Sequence, residues 1–448
     1  MSRVIFNQVE LGSYDFGLQL IEINNEANFK SKDDIIRILN TSDLHSLTDT
    51  ELEIYKTYKH EVTHQLDSTA TLWGMEYTNR LYSWFKNPED NLLEVLSLND
   101  AEIQMHSKLI NVSEKVGYYS KILFSLEYDV DCGVYVRFHY HDEDGNSVHS
   151  TSVSMLSLLE GHAYAQEQAV SCRIHEHNND VVALTLLEKK ISEATRNFQL
   201  TEYSCFLALI NQIFPNLKLS QRLNLMIFSA RFSLSVSGFF IAMIPDAVLS
   251  HIFAKAPADL VSTLKMEMCR GMHRSSYALI VLVCLAMHNE QTGSIDNATS
   301  YTEMEDIFLG CYLSNFKSLD VVKQMLSDSC EIEYELLSEK LIENGAELAA
   351  RISAQFVNKS WYDDDITKLS LPDFNLSSCD VVSPPKRLLF DTVRHEDIIL
   401  KKVIELKKAM KRLGVVRQHL APHVYHDWLV KIRNGEIGYH FYPHSTNG

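Results

Sequence analysis

A mainly α-helical fold with a small β element (α+β) is what this sequence predicts, and three observations predict it. Long stretches repeat their apolar residues at helical spacing. One short stretch, 134–141 (VYVRFHYH), alternates in the manner of a strand. Only 16 Gly and 9 Pro in 448 residues leave little loop material. With 46% hydrophobic and 22% charged residues the balance is that of a globular protein.

The first 45 residues are mixed in texture, with a short helix expected around Asp33–Leu39. Thr48-Asp49-Thr50-Glu51 then marks a helix start, because it is a capping-box pattern with acids in the first turn. Periodic residues run on to about Phe85, Asn87-Pro88 is the stop, and Gly74 is the expected break between two helices. A second helical stretch covers 91–110. Residues 134–154 read as a β-hairpin around the turn HDEDGN, and 155–170 (MLSLLEGHAYAQEQAV) returns to helical spacing.

From 181 to 358 the pattern is nearly all helical, punctuated by Pro215, Pro245 and Pro257. The expected organisation is an N-terminal segment (1–45), a region of capped helix, hairpin and following helix (46–180), a helical domain (181–366) and a linker (367–387). A basic helix with a His- and aromatic-rich tail (388–448) completes it. The stretch 223–244 is apolar, but Asn224, Arg231 and several serines make it a core helix rather than a membrane span.

Net charge is −18, so most of the surface repels nucleic acid and anionic membrane. The charge is uneven: residues 371–448 carry 12 Lys+Arg against 8 Asp+Glu. The amphipathic basic run Lys401-Lys402, Lys407-Lys408, Lys411-Arg412 is expected to pack on the body, with a protein partner as second choice. The eight cysteines are scattered without a CxxC pair, which suits a reducing, cytoplasmic compartment, and the N-terminus lacks a signal-peptide layout.

The chemistry lies in His60-Glu61-Val62-Thr63-His64, an HExxH inside the best-marked helix. Chance alone produces such a motif in roughly one shuffled chain in twenty, so its context decides. Taking His60 as zero and about 100° per residue, His64 falls near 40°. Tyr55, Tyr58, Val62 and Leu66 form an apolar stripe on the opposite side. The histidines therefore face a cleft, solvent or a second layer.

Two imidazoles one turn apart can share a Zn²⁺, which brings the pKa of a bound water to near neutral. Glu61, about 100° round, is placed as general base beside the ion, taking a proton from that water and passing it to the leaving amine. A third ligand is needed. Asp67 lies a turn beyond His64 and is expected to orient an imidazole rather than bind. The better candidate is Glu160 in LLEGHAYAQE, where Gly161 and Ala163 would let the metal-bearing helix approach closely.

Here the chain resembles the gluzincin type of zincin metallopeptidases, in which HExxH on one helix is completed by a Glu from a later one. The resemblance implies a zinc peptidase with His60, His64 and Glu160 as ligands, Glu61 as base and a peptide or protein as substrate. It covers about 25 residues in two patches. Glu167 is an alternative ligand or a supporting group; His162, on the opposite side of its helix from Glu160, cannot share the metal with it. His175, His177, His139 and His141 are more distant options.

Tyr164, one turn past Glu160, is a candidate hydrogen-bond donor to a tetrahedral oxyanion, with a packed tyrosine as the competing reading. The 134–154 hairpin offers an edge on which an extended peptide can dock. His419, His423 and His426 are interrupted by Pro422 and do not make a second site. The competing function is a non-enzymatic helical interaction protein with a structural or accidental HExxH and a partner- or nucleic-acid-binding basic helix.

Overall fold

A computed structural model describes residues 12–15, 20–25, 32–39, 41, 43–86, 117–129, 133–269, 273–295, 300–346, 349–350, 353, 375–377 and 386–391. The helical stretch expected at 91–110, the basic helix beyond 391 and the His-rich tail lie outside the described residues.

In chain order the elements begin with β1 (Gly12–Asp15), β2 (Leu20–Asn25), α1 (Lys32–Leu39), α2 (Asp49–Thr69) and α3 (Leu72–Lys86). The strands β3 (Lys121–Asp129), β4 (Gly133–His141) and β5 (Ser147–Val153) follow, then α4 (Met155–His177), α5 (Val181–Thr195), α6 (Thr201–Ile213) and α7 (Leu219–Ser235). The remaining helices are α8 (Gly238–Ala242), α9 (Asp246–Ile252), α10 (Ala258–Cys269), α11 (Arg274–Thr292), α12 (Tyr301–Leu309) and α13 (Leu319–Glu343), with β6 (Asn375–Ser377) and β7 (Lys386–Asp391) last. The fold is thus mainly α with a small β component.

Helix α2 starts where the sequence says. Thr48 accepts a hydrogen bond from the Glu51 backbone N–H, and Glu51 Oε2 accepts one from Thr48 N at 2.9 Å, which satisfies donors that no helical carbonyl reaches. Its end is a correction. The break falls at Ala70-Thr71, not at Gly74. Thr71 Oγ1 donates to Asp67 O (2.6 Å) and accepts from Gly74 N (3.0 Å), so one hydroxyl closes α2 and opens α3.

Gly74 has a different role: a Cβ there would lie 2.0 Å from Asp67 O and 2.5 Å from Ser68 C. Glycine is required because the first turn of α3 passes directly against the end of α2.

Helix α4 is the centre of the packing. Ser154 caps it, and it is buried along most of its length because α2, α6 and α7 all pack against it. One hydrophobic cluster takes residues from both the 46–180 and the 181–366 stretches; Phe138 of β4 meets Phe206 of α6 edge to face at 6.1 Å. In α7, Arg231 is buried within the apolar stretch, and no described helix is long and apolar enough to cross a membrane.

Two antiparallel sheets are present among the described residues. The expected hairpin is β4–β5, with β3, which alternation had not revealed, paired along the other edge of β4 from Lys121↔His141 to Asp129↔Gly133. Val134, Val136, Phe138 and Tyr140 of β4 face the core.

The second sheet, in the order β1-β2-β7-β6, joins the N-terminal segment to the stretch expected to be a linker. Residues 375–377 and 386–391, which span the expected linker and the start of the expected basic helix, are strands, and β2 pairs with β7 over six residues. Both β1 and β2 pack on α2.

Replacing Gly74 by Ala is expected to destabilise the fold by about 1–3 kcal/mol or more, since backbone rather than a flexible side chain occupies the Cβ position. Equilibrium denaturation of the variant checks this.

Candidate metal centre

Helices α2 and α4 run antiparallel. The partners of residues 56 to 64 of α2 run back along α4 from 167 to 160, while Asp67 reaches His162. The face carrying His60 and His64 is the one turned to α4, so the second layer expected opposite the apolar stripe is this helix.

Glu160 Oε2 stands 3.3 Å from His60 Nε2 and 3.3 Å from His64 Nε2. The ligand atoms of the three residues all lie within 4.8 Å of one another. Tetrahedral bonds of ~2.0–2.1 Å place neighbouring ligands about 3.3–3.4 Å apart, so two edges of the tetrahedron are already present. Two imidazoles and one carboxylate are also the donor types of catalytic zinc sites. The residues fit the ion.

Glu167, two turns beyond Glu160, reaches the other ring nitrogen of His60. Its Oε2 lies 3.4 Å from His60 Nδ1, while His60 Nε2 faces Glu160. A ligating histidine held by a carboxylate on its other nitrogen has its tautomer and ring orientation fixed. Lys56, one turn before His60, adds its ammonium 3.8 Å from Glu167.

Electrostatics express the crowding of acids and imidazoles. Burial works against ionisation of Glu160, yet His64 and His60 beside it hold its carboxyl well below the usual range. Glu167 is lowered in the same way against burial, by His60 and Lys56. The imidazoles are raised by these carboxylates, although burial opposes it. Glu61 differs: burial pushes its carboxyl up to about 7, against the pull of both histidines. With their pKa values raised, the imidazoles take up protons and balance Glu160 and Glu167; a divalent cation bound in their place would displace those protons.

Glu61 projects from α2 towards β1. A Cβ on Gly12 would lie 2.8 Å from Glu61 Oε1 and 3.0 Å from its Cγ, so β1 passes directly over this carboxylate. The strand edge near the HExxH helix therefore belongs to the N-terminal sheet. The β3–β5 sheet, where sequence placed a docking edge, packs on α6 and α10 instead.

The other expectations are placed as follows. Asp67 does orient an imidazole, but that of His162: Nδ1 lies 3.0 Å from Oδ2, with both residues buried. Gly161 does not admit α2; its missing Cβ faces Met226 of α7 at 3.0 Å and the Tyr203 carbonyl of α6 at 3.7 Å. The reason is phase, since Gly161 lies about 100° round α4 from Glu160.

Tyr164 packs against Tyr203, ring centroids 6.4 Å apart, and burial followed by Glu167 raises its phenol pKa. Tyr203 in turn lies against His60, with ring centroids 6.1 Å apart. Sequence reasoning missed it because α6 reaches the site only through the close crossing at Gly161. His139 engages Ser125 (2.7 Å) and Glu127 (3.2 Å) on the β3–β5 sheet, His141 bonds Gly145 O, and exposed His177 lies against His45 with the two rings tilted by 30°.

Neither protein-family models, nor curated proteins, nor solved structures yield a match to this chain. The reading of the centre accordingly rests on its own geometry.

Glu167→Gln is expected to weaken metal affinity about 10–100-fold, because His60 loses the carboxylate that fixes its ring. Competition with a chromophoric chelator measures it.

Proposed function

We propose that the chain is a zinc-dependent metallopeptidase that hydrolyses peptide bonds. The observation that carries this reading is Glu160 Oε2 lying 3.3 Å from the Nε2 atoms of both HExxH histidines. His60, His64 and Glu160 hold the ion, and Glu167 orients His60 from behind. When bound, zinc acidifies a coordinated water and polarises the scissile carbonyl.

Glu61 supplies the proton traffic. A carboxyl with a pKa of about 7 is suited both to take a proton from the attacking water and to return it to the leaving amine. Its burial is the reason, since a solvated glutamate would be too weak a base and too strong an acid to do both at neutral pH. A purely structural metal clip has no use for a buried carboxyl adjoining its ligands.

A peptide substrate is supported by β1. It ends its sheet in the order β1-β2-β7-β6, and Gly12 brings its backbone to Glu61. An extended chain adding to that edge by main-chain hydrogen bonds would run past the base and the ion. Helices α6 and α7 serve as scaffold by clasping α4.

The purified protein is expected to hold about one zinc per chain by elemental analysis, since three protein ligands define one site. His60→Ala/His64→Ala should lose the metal. Glu61→Gln should keep it and lower hydrolysis of a quenched-fluorescent peptide library by at least ~10²-fold. Metal-free wild-type protein, or a Glu61→Gln variant of unchanged activity, would contradict the assignment.

A further inference from the structure

Two kinds of polar contact cross the α2–α4 seam. Those of the proposed centre keep some access to solvent: side-chain exposure is 12% for His60, 20% for Glu160 and 22% for Glu167. The other, Asp67 with His162, has 1% and 0%. His162 Nδ1 lies 3.1 and 3.0 Å from the two oxygens of Asp67, and its Nε2 accepts from Gln166 Nε2 at 3.4 Å. Nothing in the chemistry proposed above uses this pair.

We propose that the buried Asp67–His162 pair is a positioning clamp: it sets the register and roll of α2 against α4, and so holds Glu160 within reach of His60 and His64. Two geometric facts carry the argument. Asp67 is three residues past His64 on α2 and His162 two past Glu160 on α4, so the dry contact lies within about one turn of the proposed ligands along each helix. His162 also sits about 200° round α4 from Glu160. The two contacts therefore grip α4 on opposite flanks, and a roll that loosens one strains the other.

Sliding is resisted as well. A slip of one turn moves the helices by about 5.4 Å. That slip would leave Asp67 buried away from its donor, an arrangement strongly disfavoured in a dry interior. A buried polar contact is a costly way to gain stability but an effective way to specify one alignment over its neighbours. The clamp's link to ligand geometry rests on the metal-site reading; its control of register does not.

The test uses the full chain with two readouts. Zinc affinity is measured by chelator competition, and helix register by the distance between spin labels on ketone-bearing amino acids at the exposed positions Glu53 and Glu176. In Asp67→Leu/His162→Leu, apolar side chains replace the pair, a change that is often neutral for stability. The proposal expects this variant to fold, to shift or broaden the label distance by about 5 Å, and to bind zinc at least tenfold more weakly. His162→Gln, whose amide still donates to Asp67, is expected to keep wild-type register, and affinity within about threefold.

An unchanged register in the double variant overturns the clamp, whatever the metal does. So does a moved register with undiminished zinc affinity, or a His162→Gln variant as impaired as the leucine pair. If the double variant does not fold, the His162→Gln result decides alone. Wild-type protein without zinc would sink the metal-site reading, while a moved register in the double variant would still uphold the clamp.

Discussion

The antiparallel packing of α2 on α4 is the constraint from which the rest follows. The second half of α2 is buried almost without interruption, and much of what it buries is polar: Lys59, Glu61, Thr63, His64, Gln65 and Asp67 among others. Polar groups taken from water are destabilising unless partners await them. Two of the partners come from α4, where Glu160 meets His64 and His162 meets Asp67, while Thr63 turns back to the Lys59 carbonyl of its own helix. Lys59 is answered differently, with its ammonium 5.3 Å above the Tyr55 ring and its pKa brought down to about 8 by burial and then by Arg173. Such a helix makes sense only against one neighbour in one alignment.

That alignment is held from outside the seam as much as within it. Helices α6 and α7 close on the far side of α4, and the absent side chain of Gly161 lets the Tyr203 carbonyl and Met226 come close. The same crossing delivers the Tyr203 ring to His60. On the other side, β1 and β2 lie along α2, tied by the Tyr14 hydroxyl to Ser68 Oγ at 2.9 Å. The N-terminal strands, the HExxH helix and the carboxylate helix thus form three layers with Glu61 between the first and second. Gly74 fixes the last turn of α2 by pressing α3 against it.

The seam divides its polar contacts by wetness. Asp67 and His162 are dry and make fixed, well-aligned contacts, suited to specifying geometry. Glu160, Glu167 and His60 keep partial exposure, which the proposed exchange of ions, water and substrate would require. Glu61 lies between these extremes: buried enough to be shifted to about 7, yet next to the strand edge where an extended chain would pass. A carboxyl in that position changes protonation at small cost, whereas Glu160, drawn low by two imidazoles, remains ionised.

By itself the sequence determined what depends on local pattern. The Thr48–Glu51 cap, the placement of both histidines opposite the apolar stripe, the 134–154 hairpin and the mainly helical class follow from residue type and periodicity, which the tertiary fold leaves intact. Glu160 and Glu167 were legible too, because i and i+7 share a helical face. The tertiary structure decided everything that depends on which surfaces meet. Asp67 serves His162, Gly161 admits α6 rather than α2, Tyr203 lies against His60, and strands from residues 12–25 and 375–391 share one sheet. None of these has a local signature, since each is fixed by contact between segments far apart in the chain, and no periodicity encodes which helix will lie across another.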